Sequence, residues 1–218
     1  MDITLEKLPP ESGGIEFIID RSPVSIQSMS KEKHEIKDHI SSIVKSAEFL
    51  LSGDVKIYIS WYVHEEKRYE TDASADVDNI IKPLLDALCG PTGILIDDNQ
   101  VQQVQCSWID SYVRDKERVG IRIEYIPDEY LPKEGLAFVN IKKNLCLPFC
   151  RNHTPESLSI LISAYEQQFT CRKELSKQGW DYYKSSSVMS IQRVFHKSRL
   201  KNFEVIELDD FKKTISFS

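Results

Sequence analysis

Asp76, Asp78, Lys82, Asp97 and Asp98 are the residues with the clearest chemical potential in this chain. Residues two apart in an extended segment point to the same side, so Asp76 and Asp78 can converge on one cation as the chain enters a helix. Lys82 follows Asp78 by four residues, one helical turn, and projects near the same place. Asp97 and Asp98 end the apolar run Ile94, Leu95, Ile96 and can bring at least one more carboxylate to the cluster. Hard divalent cations take such oxygen ligands, with water and substrate phosphate completing the shell. A cation so held activates water and neutralises the charge that builds on a phosphodiester, and a lysine adds positive charge beside the scissile phosphate. The bland alternative is equally physical: Asp76 and Asp78 are favoured helix caps, Asp97-Asp98-Asn99 suits a solvated turn, and Lys82 suits a surface cation.

These residues need elements to position them. Ile15–Ile19 is predicted as a short strand, and Lys31–Leu51 carries apolar residues at helical spacing until Gly53. Val55–Val63 alternates apolar and polar residues at period two, as does Val119–Ile126, so both are expected as half-buried strands. Between them Ile80, Ile81, Leu84, Leu85 and Leu88 form a helix stripe, closed by Gly90, Pro91 and Gly93. Pro83 restricts Lys82 and removes one donor, so the helix is expected to begin about a turn earlier. Ile94–Ile96 and Val101–Trp108 read as extended pieces. Pro127 and Asp128 mark an expected boundary and Tyr130–Glu134 a linker, giving domains over 1–128 and 129–218. Beyond it, Leu136–Ile141 and Val205–Leu208 read as strands, and Pro155–Phe169 as an amphipathic helix capped by Thr154. The fold class expected is α+β, a small mixed α/β domain followed by a basic C-terminal extension that is α/β or mostly helical.

The string Asp76-x-Asp78-Asn79-x-x-Lys82-x-x-x-Asp86-Ala87-Leu88, a glycine-containing turn, then an apolar strand running into Asp97-Asp98-x-x-Val101, resembles the RusA-type Holliday junction resolvases. Roughly residues 14–126 can be laid on that small mixed α/β nuclease fold; the C-terminal ninety or so resemble no family. The resemblance implies a Mg²⁺-dependent endonuclease, with Mn²⁺ as a second option, acting as a homodimer on branched DNA. It implies Asp76, Asp78 and Asp98 as metal-binding catalytic carboxylates, Asp97 as a supporting metal ligand, and Lys82 as the essential lysine. The loop before Asp97 is one residue longer than the family pattern, which leaves Asp97 and Asp98 both open as principal ligand. Two departures stand out: the approach Glu70–Ala75 is acidic where the family is basic, and so is the overall balance.

The chain has 218 residues, 41% hydrophobic and 28% charged, with 28 Lys plus Arg against 34 Asp plus Glu. That composition excludes disordered and fibrous classes. No apolar run reaches membrane-span length and the opening MDITLEKLPP lacks a signal-peptide pattern, so a cytoplasmic protein is expected. The charge is uneven: residues 1–128 carry 14 basic and 24 acidic side chains, and 129–218 carry 14 and 10. Phosphate contacts dominate DNA affinity, so the acidic part is a poor binder by itself. The stretch 172–201 is the dense basic run, and Lys177, Lys184, Arg193, Lys197, Arg199 and Lys201 are expected to supply most nucleic-acid contact, beside Trp180, Tyr182 and Tyr183 as stacking candidates. Cys146, Cys150, His153 and Cys171 are donors that zinc accepts, at irregular spacing that fits small buried thiols better. Two other functions use the same features: a nuclease effector acting on other DNA or RNA in phage-host conflict, and a non-catalytic protein-binding module that keeps the nuclease fold.

Overall fold

The computed structural model describes residues 5–71, 76–113, 116–190 and 192–216, which fall into two compact units, Met1–Lys133 and Glu134–Ser218. The first unit runs β1 (Gly14–Ile19), α1 (Ser30–Val44), β2 (Phe49–Leu51), β3 (Val55–Val63), α2 (Glu65–Glu70), α3 (Val77–Leu88), β4 (Val101–Asp110), β5 (Arg118–Glu124) and β6 (Tyr130–Pro132). Its main sheet has the order β1-β5-β3-β4, antiparallel except for the β3/β4 pair.

Register explains why one face of this sheet is apolar. Phe17, Ile121, Ile59 and Cys106 lie in one row across the four strands, and Ile19, Val119, Trp61 and Trp108 in the next. The two tryptophans meet edge to face, ring centroids 5.0 Å apart. Against this face α1 buries Ile36, Ile40 and Val44, and α3 buries Ile80, Leu84, Leu85 and Leu88. The opposite parity gives the other face Tyr58, Ser60, Tyr62 and Arg122, with the Arg122 and Arg118 guanidinium groups over the Tyr58 and Tyr62 rings.

Three expectations need correction. The helix predicted over Lys31–Leu51 stops at Val44, and Phe49–Leu51 forms the buried strand β2 instead. Its partner is β6, in the segment expected to be a linker, with Phe49 opposite Pro132 and Leu51 opposite Tyr130. Just after β6 the Lys133 N–H donates to the Glu48 carbonyl at 2.8 Å. Ile94–Ile96 forms no ladder; Leu95 makes single bridges to Leu51 and to Cys89.

The second unit comprises β7 (Leu136–Lys142), β8 (Leu145–Cys150), α4 (Pro155–Lys177), α5 (Tyr182–Ser185), β9 (Phe195–His196), β10 (Val205–Glu207) and α6 (Leu208–Ser216). Its sheet order is β10-β7-β8-β9. Leu158, Ile162, Tyr165 and Phe169 recur at helical spacing along α4 and close over Val139, Leu147 and Phe149, while Phe211 of α6 completes the core. The Thr154 hydroxyl caps α4 by accepting the Ser157 N–H at 3.3 Å. This unit is thus itself mixed sheet and helix, which makes the whole chain α+β. Among the described residues no helix is long and apolar enough to cross a membrane.

Candidate active site

Pro83 shapes the helix that carries the site. Helix α3 begins at Val77, about two turns before Pro83 and earlier than the proline alone suggests. With no N–H on Pro83, the Asn79 carbonyl loses its intrahelical partner. The Ile26 N–H fills the gap at 2.8 Å and ties the loop before α1 to the first turn of α3. Asp78, Lys82 and Asp86 then fall at four-residue intervals along one stripe of the helix.

The return to Asp97 and Asp98 depends on two glycines. Gly90 has φ of +101°, open to glycine at no steric cost, and a Cβ on Gly93 would lie 2.2 Å from the Leu88 carbonyl oxygen. The Ile94 and Leu95 N–H groups can therefore both close onto that carbonyl, at 2.9 and 3.0 Å. Next comes Gln100, fully buried although polar. Its Oε1 accepts from the Ile96 and Asp97 N–H groups at 2.8 and 3.0 Å, and its Nε2 donates to the Leu51 and Gly53 carbonyls, both at 2.9 Å. One amide thus locks the aspartate turn to the end of β2. Sequence reasoning missed Gln100, although Asp97-x-x-Gln100 is a capping-box pattern and could have drawn attention to it.

Within this frame the two neighbouring aspartates have different surroundings. Asp97 caps a 3₁₀ turn, its Oδ1 accepting the Asn99 N–H at 3.1 Å. Asp98 accepts from the Lys82 ammonium at 2.6 Å, and Lys82 also donates to Asp86 at 2.5 Å. Asp98 is 22% exposed, against 59% for Asp86, so Asp98 is the better-enclosed partner. Burial pulls the Lys82 pKa down, but the bonds and charges of Asp86 and Asp98 more than reverse it, holding the ammonium above the ordinary lysine value. Cys89, at the end of α3, feels the same site: burial pushes its thiol up, and Asp98, Asp97 and Asp86 push it further. The four-residue offset of Asp86 from Lys82 is the signal that pairs them.

Asp76 and Asp78 sit at the start of α3, both exposed. Asp76 occupies the cap position without a side-chain capping bond, so the simple capping role does not describe it. Among the described residues no group of three Asp, Glu, His or Cys side chains is arranged to hold a metal ion, and the Lys82 ammonium stands against Asp98. The donor chemistry nonetheless suits a hard divalent ion, since Asp76 and Asp78 keep carboxylate oxygens unspent on capping or ion pairs. The acidic approach at 72–75 lies outside the described residues.

The basic run of the second unit, expected to contact nucleic acid, carries several ion pairs. Lys177 pairs with Glu174 at 2.7 Å, Lys184 with Asp181 at 3.4 Å and Lys197 with Glu207 at 2.7 Å. Arg193 is half-buried, which lowers its pKa, and Arg199 also has a partner, while Lys201 is exposed. Trp180, Tyr182 and Tyr183 are exposed, with Arg172 over the Tyr182 ring at 4.9 Å. Cys146 is buried, Cys150 donates weakly to the Glu134 carbonyl and Cys171 is exposed, so these thiols and His153 form no metal cluster among the described residues.

Residues 22–124, all inside the first unit, match the family Endodeoxyribonuclease RusA. No curated protein matches the chain. The matched stretch includes α1, β3, α3, the Asp97-Asp98 turn and β4 and β5, so the similarity to that family lies within the first unit.

Proposed function

We propose that this RusA-like domain hydrolyses phosphodiester bonds in branched DNA of the Holliday-junction kind, in the cytoplasm, as a homodimer whose subunits each cut one strand. The observation that carries the reading is the 2.6 Å contact between Lys82 and Asp98, which unites the two halves of the motif across the glycine turn. In this reading Asp76, Asp78 and Asp98 hold Mg²⁺ or Mn²⁺, with Asp97 supporting the turn. The bound ion supplies an activated water and neutralises charge on the phosphate. Lys82, held protonated, donates to a non-bridging oxygen of the scissile phosphate once substrate displaces it from its aspartates. Gln100 and Pro83 act through the backbone to keep Asp98 and Lys82 in register.

Incubation with matched four-way junction, duplex and single-stranded DNA, with Mg²⁺ and with chelator, tests this directly. The expected result is junction cleavage that chelator abolishes. Cleavage that persists in chelator overturns the metal role. Cleavage confined to the single-stranded DNA supports an effector nuclease, and no cleavage of any substrate in Mg²⁺ supports a protein-binding module.

A further inference from the structure

A cleft of about 330 Å³ lies beside the catalytic stripe, lined by Lys33, His34 and Lys37 of α1 and by Lys82, Pro83, Asp86 and Ala87 of α3, with Ile26 at one wall. Three ammonium groups line it, Lys82 paired with Asp86 and Asp98 and Lys33 and Lys37 with no carboxylate partner among the described residues, within a unit that is acidic as a whole. Lys33 and Lys37 are four residues apart on α1, hence neighbours on one face. Lys33 donates to the Ile26 carbonyl, a neutral acceptor that orients the ammonium without cancelling its charge. Among the described residues Lys37 has no hydrogen bond or ion pair. The wall that holds Lys33 is fixed by the chain of cause begun at Pro83: the released Asn79 carbonyl takes the Ile26 N–H, and the Ile26 carbonyl takes Lys33. His34 is anchored through Nδ1 to the Ser30 carbonyl at 2.7 Å.

We infer that this cleft binds a non-reacting backbone phosphate of the DNA strand being cut, next to the scissile one, with Lys33 and Lys37 as its positioning cations. The inference rests on the nuclease reading for its identification of the substrate. Lys82 belongs to both places, since it lines the cleft and bonds Asp98, so a phosphate seated against Lys33 and Lys37 brings the adjoining phosphodiester to Lys82. The apolar faces of Ile26, Pro83 and Ala87 offer the sugar a dry surface. A contact from Lys33 and Lys37 to a phosphate serves register and affinity and carries no sequence information.

The test measures binding of labelled four-way junction to the full chain in chelator, over a salt series, for wild type, the double variant Lys33→Gln/Lys37→Gln and the double variant Lys33→Arg/Lys37→Arg. Each lost phosphate contact removes about 0.9 from the slope of log affinity against log salt on B-form DNA, so the Gln pair is expected to flatten it by between about one and two. The Arg pair keeps the wild-type slope. Lys37→Gln alone, which loses no recorded partner, guards against a folding artefact and is expected to lose about one contact. An unchanged slope in both Gln variants overturns the inference, as does an absence of any DNA binding by wild type. Wild-type cleavage in Mg²⁺ is scored separately. A flattened slope in a protein that cuts no DNA keeps the cleft and rejects the nuclease, whereas cleavage with an unaltered slope keeps the nuclease and rejects the cleft.

Discussion

The two units carry charge in opposite ways. The first has an excess of acids, yet it gathers Lys33, Lys37 and Lys82 around one cleft, where Lys37 has no partner among the described residues. The second has an excess of bases, yet it pairs Lys177, Lys184 and Lys197 with carboxylates of its own. Electrostatic focusing depends on like charges converging on a cleft with low-dielectric walls, and a pair with its counter-ion beside it contributes little at a distance of several ångströms. Net charge per domain therefore says little about where a polyanion docks. In the first unit three of the bases, Lys33, Lys37 and Lys82, line one cleft beside Asp86.

The largest expected effect comes from the acidic side of this comparison. Asp78→Asn keeps the shape and the position in the first turn of α3 but removes the charge a divalent ion requires. Junction cleavage is expected to fall on the order of 100-fold or more, about 3 kcal/mol of barrier, with DNA binding in chelator unaltered. Single-turnover cleavage at saturating DNA measures it. If Asp78→Asn cleaves at the wild-type rate while Lys33→Gln/Lys37→Gln does not, the chemistry belongs to the basic cleft and the roles of the two charge types are reversed.

What was legible in the sequence follows from periodicity and local spacing. Val55–Val63 and Val119–Ile126 alternate cleanly because their sheet is covered on one face only, and the α3 stripe is dense enough to read directly. The Asp78, Lys82, Asp86 stripe is likewise a helix-period signal. Strands β2 and β6 were not legible, since three-residue strands carry no period and each finds its partner far along the chain. Gln100 was not legible as a core residue because its burial depends on Leu51 and Gly53, whose approach comes from tertiary folding. The cleft was hidden for a similar reason: Lys33 and Lys37 read as ordinary cations on a polar helix face until the packing of α1 against α3 sets them beside Lys82.

A smaller effect, on stability, distinguishes the units by their polar interiors. Gln100→Leu keeps approximate volume but strips partners from the Ile96 and Asp97 N–H groups and from the Leu51 and Gly53 carbonyls. Buried groups left unpaired cost roughly 1–3 kcal/mol each, non-additively, so a loss of at least about 2 kcal/mol is expected in urea unfolding. Hydrogen exchange should place the loss in the first unit, with accelerated exchange at Ile96 and Asp97 and unchanged protection in β7 and β8. Cleavage should drop further than the folded fraction accounts for, because the same amide sets Asp98 against Lys82. A loss of stability with full activity per folded molecule would show that the turn holds without it.

The smallest effect bears on the second unit. The triple variant Lys177→Gln, Lys184→Gln, Lys197→Gln removes three cations that already have carboxylate partners. All three pairs are solvent-exposed, with lysine side chains 58%, 70% and 45% accessible, so salt and water screen them heavily. The thermal midpoint is expected to stay where it is, and the salt slope of junction binding to change by less than one contact, against one to two for the pair on α1. The hydrogen bond to Glu207 raises the Lys197 pKa, so that lysine stays charged and paired across the neutral range, and its removal frees an acid as well as deleting a base. A slope that falls by nearly 0.9 for each lysine would mean that DNA phosphates displace Glu174, Asp181 and Glu207. The basic stretch would then be a binding surface whose ion pairs open on contact, and the contrast between the units would be one of readiness instead of location.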